Sequence, residues 1–166
     1  MMVIEMLKKR VISAVIGILL LILLIFSGSL PFFLTVSIIT VLAVREYSRM
    51  LAINSNLLRF LLSVSSVLIV FNVYLLSNDL YFLPHGIILF IIIFSLYIYN
   101  LYNYEEKQFI KNISSQIFLV IYTGGGLSFA VFLSDLTQGI FVNRGALWMV
   151  LISTWLTDSE AYLFGK

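Results

Sequence analysis

Cysteine is absent from the 166 residues, and histidine occurs once, as His85. The first absence excludes disulfides, thiolate nucleophiles and cysteine-held metals, and leaves the redox compartment unread. The second leaves no imidazole pair for a metal and no nucleophile–base–orienter triad. Charge is scarce as well: Asp, Glu, Lys and Arg make up 11% of the chain, against roughly 25% in an average soluble domain. The net charge of +2 is too small to point to nucleic acid as a partner. Soluble domains, low-complexity tracts and internal repeats are lacking too. In their place the chain is 61% hydrophobic, with a mean hydropathy of +1.09. This composition belongs to an integral membrane protein.

Six apolar stretches lie between the charged clusters, at about 11–27, 30–44, 57–76, 86–101, 113–134 and 145–164, each long enough or nearly so to cross a hydrocarbon core of about 30 Å. The first two are joined by "SGSLP", a turn suited to a helical hairpin. An alternative reading of the first stretch, a signal peptide, fits its basic start, but the run is long and further spans follow. Basic residues alternate between loops. Lys8, Lys9 and Arg10 precede the first stretch, Arg45, Arg49 and Arg59 follow the second, Lys107 and Lys111 follow the fourth, and Lys166 follows the sixth. The first and third loops have none, and the fifth has only Arg144. The expected fold is therefore all-α, a polytopic membrane protein of about six transmembrane helices with both termini cytoplasmic.

Several features have a plain structural reading. "AVREYSRML" places Arg45 and Arg49 four apart as a basic edge, and Glu46 three from Arg49, which suits a topology anchor or a headgroup phosphate contact. "LYNYEEKQFIK" mixes aromatic rings and charge as a membrane–water boundary does, and carries no assigned chemistry. "IYTGGGLSFA" sets three glycines inside the fifth stretch without the Lys-Ser or Lys-Thr of a phosphate loop. Gly124 with Ser128, and Gly126 with Ala130, form small-xxx-small pairs for close helix packing, with a kink or cavity as the other reading. His85 falls in an outer loop and is expected to be solvated.

The sixth stretch is different because it carries Asp158 and Glu160. Ending the span before Trp155 would leave it too short to cross, which places Asp158 within the inner leaflet. Intramembrane carboxylates are costly, and a cation or a proton is their natural partner. On a continuous helix, Leu151, Thr154, Asp158, Ala161, Tyr162 and Gly165 share a face. Glu160 lies about 160° around the helix from Asp158, so the two carboxylates do not serve one site from the same face.

"WLTDSEAYLFGK", Trp155 to Lys166, closely resembles the Thr-Asp-(Thr/Ser)-x-Ala-Tyr-x-x-Gly-(Lys/Arg) segment of the phosphatidate cytidylyltransferase (CDP-diacylglycerol synthase) family. "KKRVISAVIGI" and "AVREYSRML" resemble that family's basic N-terminus and Arg-Glu-Tyr segment, in the same order. The resemblance implies an enzyme that condenses CTP with phosphatidic acid to CDP-diacylglycerol and pyrophosphate in phospholipid biosynthesis, with Mg²⁺ as cofactor, in the cell membrane. It implies Asp158 as catalytic residue and metal ligand, and Tyr162, Gly165, Lys166 and Arg45 as substrate-binding residues, with Arg45 and Glu46 in a supporting place. Charge neutralisation of a triphosphate by a carboxylate-held hard cation agrees with this chemistry.

Two departures from the family pattern stand out. Glu160 occupies a position where the family often has Gly or an apolar residue. The family also continues into a Lys-rich segment and a longer signature with His-Gly-Gly and several Asp residues, which this sequence does not contain. Residues 1–166 are thus expected to form a single transmembrane domain, the N-terminal portion of a longer enzyme, with a second copy of the chain or a separate C-terminal part as protein partner. The alternatives are a non-catalytic membrane fragment or subunit and a CTP-dependent polyprenol kinase-like protein, which would release CDP. A cation-coupled transporter is disfavoured by the lack of recurring broken helices in two halves.

Overall fold

The computed structural model describes residues 17, 19, 21–80, 83–103, 106–136 and 144–164, with the backbone alone at 106–107 and 162–164. Among these residues there is no strand. The helices are α1 (Ser29–Met50), α2 (Asn56–Ser77), α3 (His85–Asn103), α4 (Glu106–Val120), a π-helical turn (Ile121–Gly125), α5 (Gly126–Asp135) and α6 (Gly145–Phe164). Residues 21–26, before α1, are helical as well.

Local sequence explains where these helices begin and end. Gly28 precedes α1 with a φ of 106°, a backbone conformation that glycine adopts without strain. Pro31 sits in the first turn, where its missing N–H is not needed by the helix. Ser55 caps α2, its hydroxyl accepting from the Leu58 N–H at 3.3 Å.

The C-terminus of α1 closes with Ile53 N–H donating to the Ser48 carbonyl and Ala52 N–H to that of Arg49. The C-terminus of α2 repeats the pattern, from Leu80 to Leu75 and from Asp79 to Leu76. Both are Schellman closures, and they place Ala52 and Asp79 at φ 53° where glycine is usual.

α2 is the central helix, packed on α1, α3, α4, the π turn and α5. α1 presents Phe32, Val36, Thr40, Val44 and Ser48 at a strict four-residue interval, one buried stripe on an otherwise lipid-suited helix. One buried cluster joins Val44, Leu58, Leu62, Ile92, Leu96 and Leu119; a second joins Phe32, Val36, Val70, Val131 and Leu147. Around them, large apolar side chains such as Leu42, Phe60, Phe90 and Phe118 are exposed, as suits helices solvated by lipid.

Among the described residues, four helices are long and apolar enough to cross a membrane: Ser29–Met50, Asn56–Ser77, His85–Asn103 and Gln108–Asp135. They correspond to the second through fifth expected stretches, and the "AVREYSRM" segment extends the first of them helically. Of the first expected stretch, residues 11–16, 18 and 20 lie outside the described residues, and 21–26 are helical. The sixth forms a 20-residue helix over the expected interval, Gly145–Phe164, but it is not among the four apolar enough to cross, because Asp158, Glu160 and the neighbouring hydroxyls interrupt its apolar run.

The glycine run divides into separate roles. A Cβ on Gly124 would lie 2.7 Å from the Ser66 carbonyl oxygen and 2.8 Å from its Cα, so here the α2 backbone is in direct contact. Nothing lies within 4 Å of a Cβ on Gly126. The close-packing expectation therefore holds at Gly124 and not at Gly126, because Gly124 is buried and Gly126 is exposed. Thr123 donates to the Leu119 carbonyl at 2.8 Å and shares a hydrogen bond of 3.1 Å with the Ser66 hydroxyl. The helix widens into its π turn at this contact.

Candidate functional site

The two ends of the helix bundle are chemically distinct. At one end Ser29 Oγ donates to Asp135 Oδ2 at 3.0 Å and Asn78 donates to Ser29 Oγ at 3.2 Å. Arg144 lies over the Phe32 ring, 5.7 Å from its centroid, and α6 starts at the next residue. The opposite end holds the C-terminus of α1 and the N-termini of α2 and α4, bringing Arg45, Arg49, Arg59 and Lys111. At 1.5 Å per residue, Asp158 lies about 20 Å along α6 from Gly145 and Arg45 about 24 Å along α1 from Ser29. Arg45 therefore approaches the basic end, and Asp158 lies in the second half of α6.

The structure does not assemble Asp158 and Arg45 into one site. α6 docks through Ala146, Leu147, Trp148 and Leu151, with Trp148 6.4 Å from the Phe26 ring and its main helix contact on α5. Beyond Leu151 the character changes: residues 152–161, Asp158 and Glu160 included, are all exposed. The hydroxyls there turn back onto their own helix. Thr154 donates to Val150, Thr157 to Ser153 and Ser159 to Trp155, at 2.7–2.9 Å. Thr154 thus shares a face with Asp158, as expected from spacing, but spends its proton on the backbone.

Arg45 and Glu46 are exposed on α1, and the structure brings neither α1 residue into substantial contact with α6. The Tyr162 side chain lies outside the described residues, as do Gly165 and Lys166. No group of three or more His, Asp or Glu side chains that could hold a metal occurs among the described residues. Asp158 can offer one hard oxygen to a cation. That fits Mg²⁺, which is usually held by one or two carboxylates with water and substrate phosphates completing its shell.

His85 is exposed but is the first residue of α3, not part of the loop expected, and its Nδ1 lies 3.5 Å from Asn72 Nδ2. Asn72 itself holds the backbone of Leu83, donating to its carbonyl at 3.0 Å and accepting from its N–H at 3.2 Å. Beside them, Ile69, Gly125, Ser128 and Phe132 help line an apolar cavity of about 360 Å³ next to the π turn.

A second cavity, of about 420 Å³, opens at the basic end between the loop after α1 and the first turns of α4. Its walls are polar, with Asn54, Ser55, Gln108, Lys111, Asn112 and Gln116 among them. Spacing along the chain does not reveal this cleft, because its walls come from two segments about 55 residues apart. The available signal was compositional: "INSN" and "KNISSQ" are amide-rich in a chain that is 61% hydrophobic.

The Cytidylyltransferase family model matches residues 8–166, including the Asp158 segment of α6 and the Arg45 segment of α1. The chain belongs to the cytidylyltransferase family. Its reaction class is therefore transfer of a cytidylyl group, with CTP as the donor substrate, in the setting of membrane lipid. No curated protein and no solved structure is matched.

Proposed function

We propose that this cytidylyltransferase acts on phosphatidic acid. An oxygen of the lipid phosphate attacks the α-phosphorus of CTP, the bond between the α-phosphorus and its bridging oxygen breaks, and pyrophosphate leaves as CDP-diacylglycerol forms. The observation that supports this best is the family match running through the α6 helix that carries Asp158. A lipid acceptor suits a helix docked through its first turns on apolar spans, and the basic residues Arg45, Arg49, Arg59 and Lys111 at one end of the bundle suit phosphate-bearing substrates. Phosphoryl chemistry of this kind needs positioning and charge neutralisation more than a protein nucleophile.

In this reading Asp158 supplies an oxygen ligand to Mg²⁺, which when bound neutralises the triphosphate. Tyr162, Gly165 and Lys166 border the nucleotide, and Arg45 meets phosphate at the same membrane face. The basic end faces the cytoplasm, the source of CTP, and the bundle crosses six times with both termini on that side. The protein resides in the cell membrane and serves phospholipid biosynthesis.

A non-catalytic subunit is the second reading, favoured by the exposure of both Asp158 and Glu160. Product analysis separates the readings. Membranes carrying the chain, alone and with a family C-terminal segment supplied, are given labelled CTP, phosphatidic acid and Mg²⁺. CDP-diacylglycerol with equimolar pyrophosphate is the expected outcome in at least one arm. CDP with a phosphorylated polyprenol would move the assignment to a kinase, and no product in either arm would leave the non-catalytic subunit.

A further inference from the structure

We propose that the polar cleft at the basic end is a binding site for the phosphate of an anionic headgroup, separate from the Asp158 segment. None of its lining residues belongs to α6. One wall is the loop of residues 51–55, and the other is the face of α4 from Gln108 to Gln116. Among the described residues, Lys111 is the one charged residue lining it. A polar cavity whose described lining has one cation and no carboxylate favours an anion, and its volume of about 420 Å³ is within the range of small-molecule sites.

The walls are fixed by bonds that do not need a ligand. Gln116 and Asn100 pair reciprocally at 2.7 and 3.1 Å while both are buried. Arg59 donates to the Ile53 carbonyl, from Nε at 2.8 Å and from a terminal nitrogen as well. Ser55 is held by the Leu58 N–H and by the Tyr99 hydroxyl at 2.9 Å. Among the described residues, these commitments leave the Lys111 ammonium and the amides of Asn54, Gln108 and Asn112 as donors for a phosphate. Prepaid wall geometry lowers the ordering cost of binding.

Position narrows the class of ligand. The cleft opens where α1 and α3 end and α2 and α4 begin, which is headgroup depth for spans of this length. Basic pockets between spans are where anionic lipid headgroups dock. Free phosphate offers the same chemistry from solution.

The test uses the full chain in nanodiscs of phosphatidylcholine, with phosphatidylglycerol titrated in and apparent affinity read from the rise in unfolding temperature. Phosphatidylglycerol is expected to stabilise the wild type. Lys111→Gln should weaken that affinity at least fivefold, by loss of one basic residue at the surface. Asn112→Leu, which changes no charge, should weaken it about tenfold, by loss of a hydrogen bond to a charged group. Arg49→Gln, at the same end but outside the cleft, should leave the Asn112 effect intact.

Inorganic phosphate in the nanodisc buffer is the second arm. Competition with phosphatidylglycerol at Lys111 and Asn112 would support the site and name free phosphate as an occupant; no competition with lipid binding retained would name the lipid. An unchanged response in Asn112→Leu, with equal losses in Lys111→Gln and Arg49→Gln, would show general surface attraction and overturn the proposal. Absence of any response to phosphatidylglycerol or phosphate would overturn it as well.

Discussion

Gly124 rests directly on the backbone of Ser66, so that a Cβ there would stand 2.7 Å from the Ser66 carbonyl oxygen. The obstructing atoms are main chain and cannot rotate aside. Gly124→Ala must therefore separate α2 from the π turn or shift one of them. The expected cost is about 1–3 kcal/mol, read as a lower midpoint in thermal unfolding of the purified protein in detergent. Gly126→Ala meets nothing within 4 Å and should leave the midpoint unchanged or slightly raised. Equal effects at the two positions would contradict this division of roles.

Asn100 and Gln116 form the buried polar link between α3 and α4. Gln116→Leu leaves the buried Asn100 Oδ1 without its donor, while Asn100 Nδ2 keeps its bond to the Leu96 carbonyl, and should cost about 1–3 kcal/mol. Asn100→Leu together with Gln116→Leu removes both partners and should recover part of that loss. A double-mutant cycle of unfolding midpoints measures the coupling; additive losses would mean that the pair contributes nothing as a pair.

Ala52 holds a left-handed conformation at the Schellman closure of α1, with φ at 53°. Glycine takes this conformation without the Cβ clash, so Ala52→Gly should raise stability by about 1 kcal/mol. Asp79→Gly tests the equivalent position after α2. A fall in the unfolding midpoint for both variants would contradict the strain argument.

These particulars show how far the chain could be read before its structure. The apolar runs between charged clusters marked out α1, α2, α3 and the long helix through Gly126, because lipid-facing helices advertise themselves by length and hydropathy. The helical interval of α6 was equally legible. Its surroundings were not, since a 3.6-residue period says which residues share a face and nothing about what covers that face. The "TGGG" run signalled close packing, yet only the neighbouring helix decides that Gly124 meets Ser66 and Gly126 meets nothing. The Asn100–Gln116 pair and the polar cleft escaped for the same reason: their partners are brought together by tertiary packing, not by sequence spacing.

Asp158 carries the chemical claim, and Glu160 provides its internal control. The two carboxylates are both exposed on α6, two positions apart and on nearly opposite sides of the helix. Cytidylyl transfer from labelled CTP to phosphatidic acid should be compared among the wild type, Asp158→Asn and Glu160→Gln, with Mg²⁺ and under the condition in which the wild type forms product. Asp158→Asn is expected to lower turnover by about 10²–10³-fold with membrane insertion unchanged, while Glu160→Gln stays within a few-fold of wild type. Unchanged turnover in Asp158→Asn would remove this carboxylate from the site and contradict the proposed chemistry.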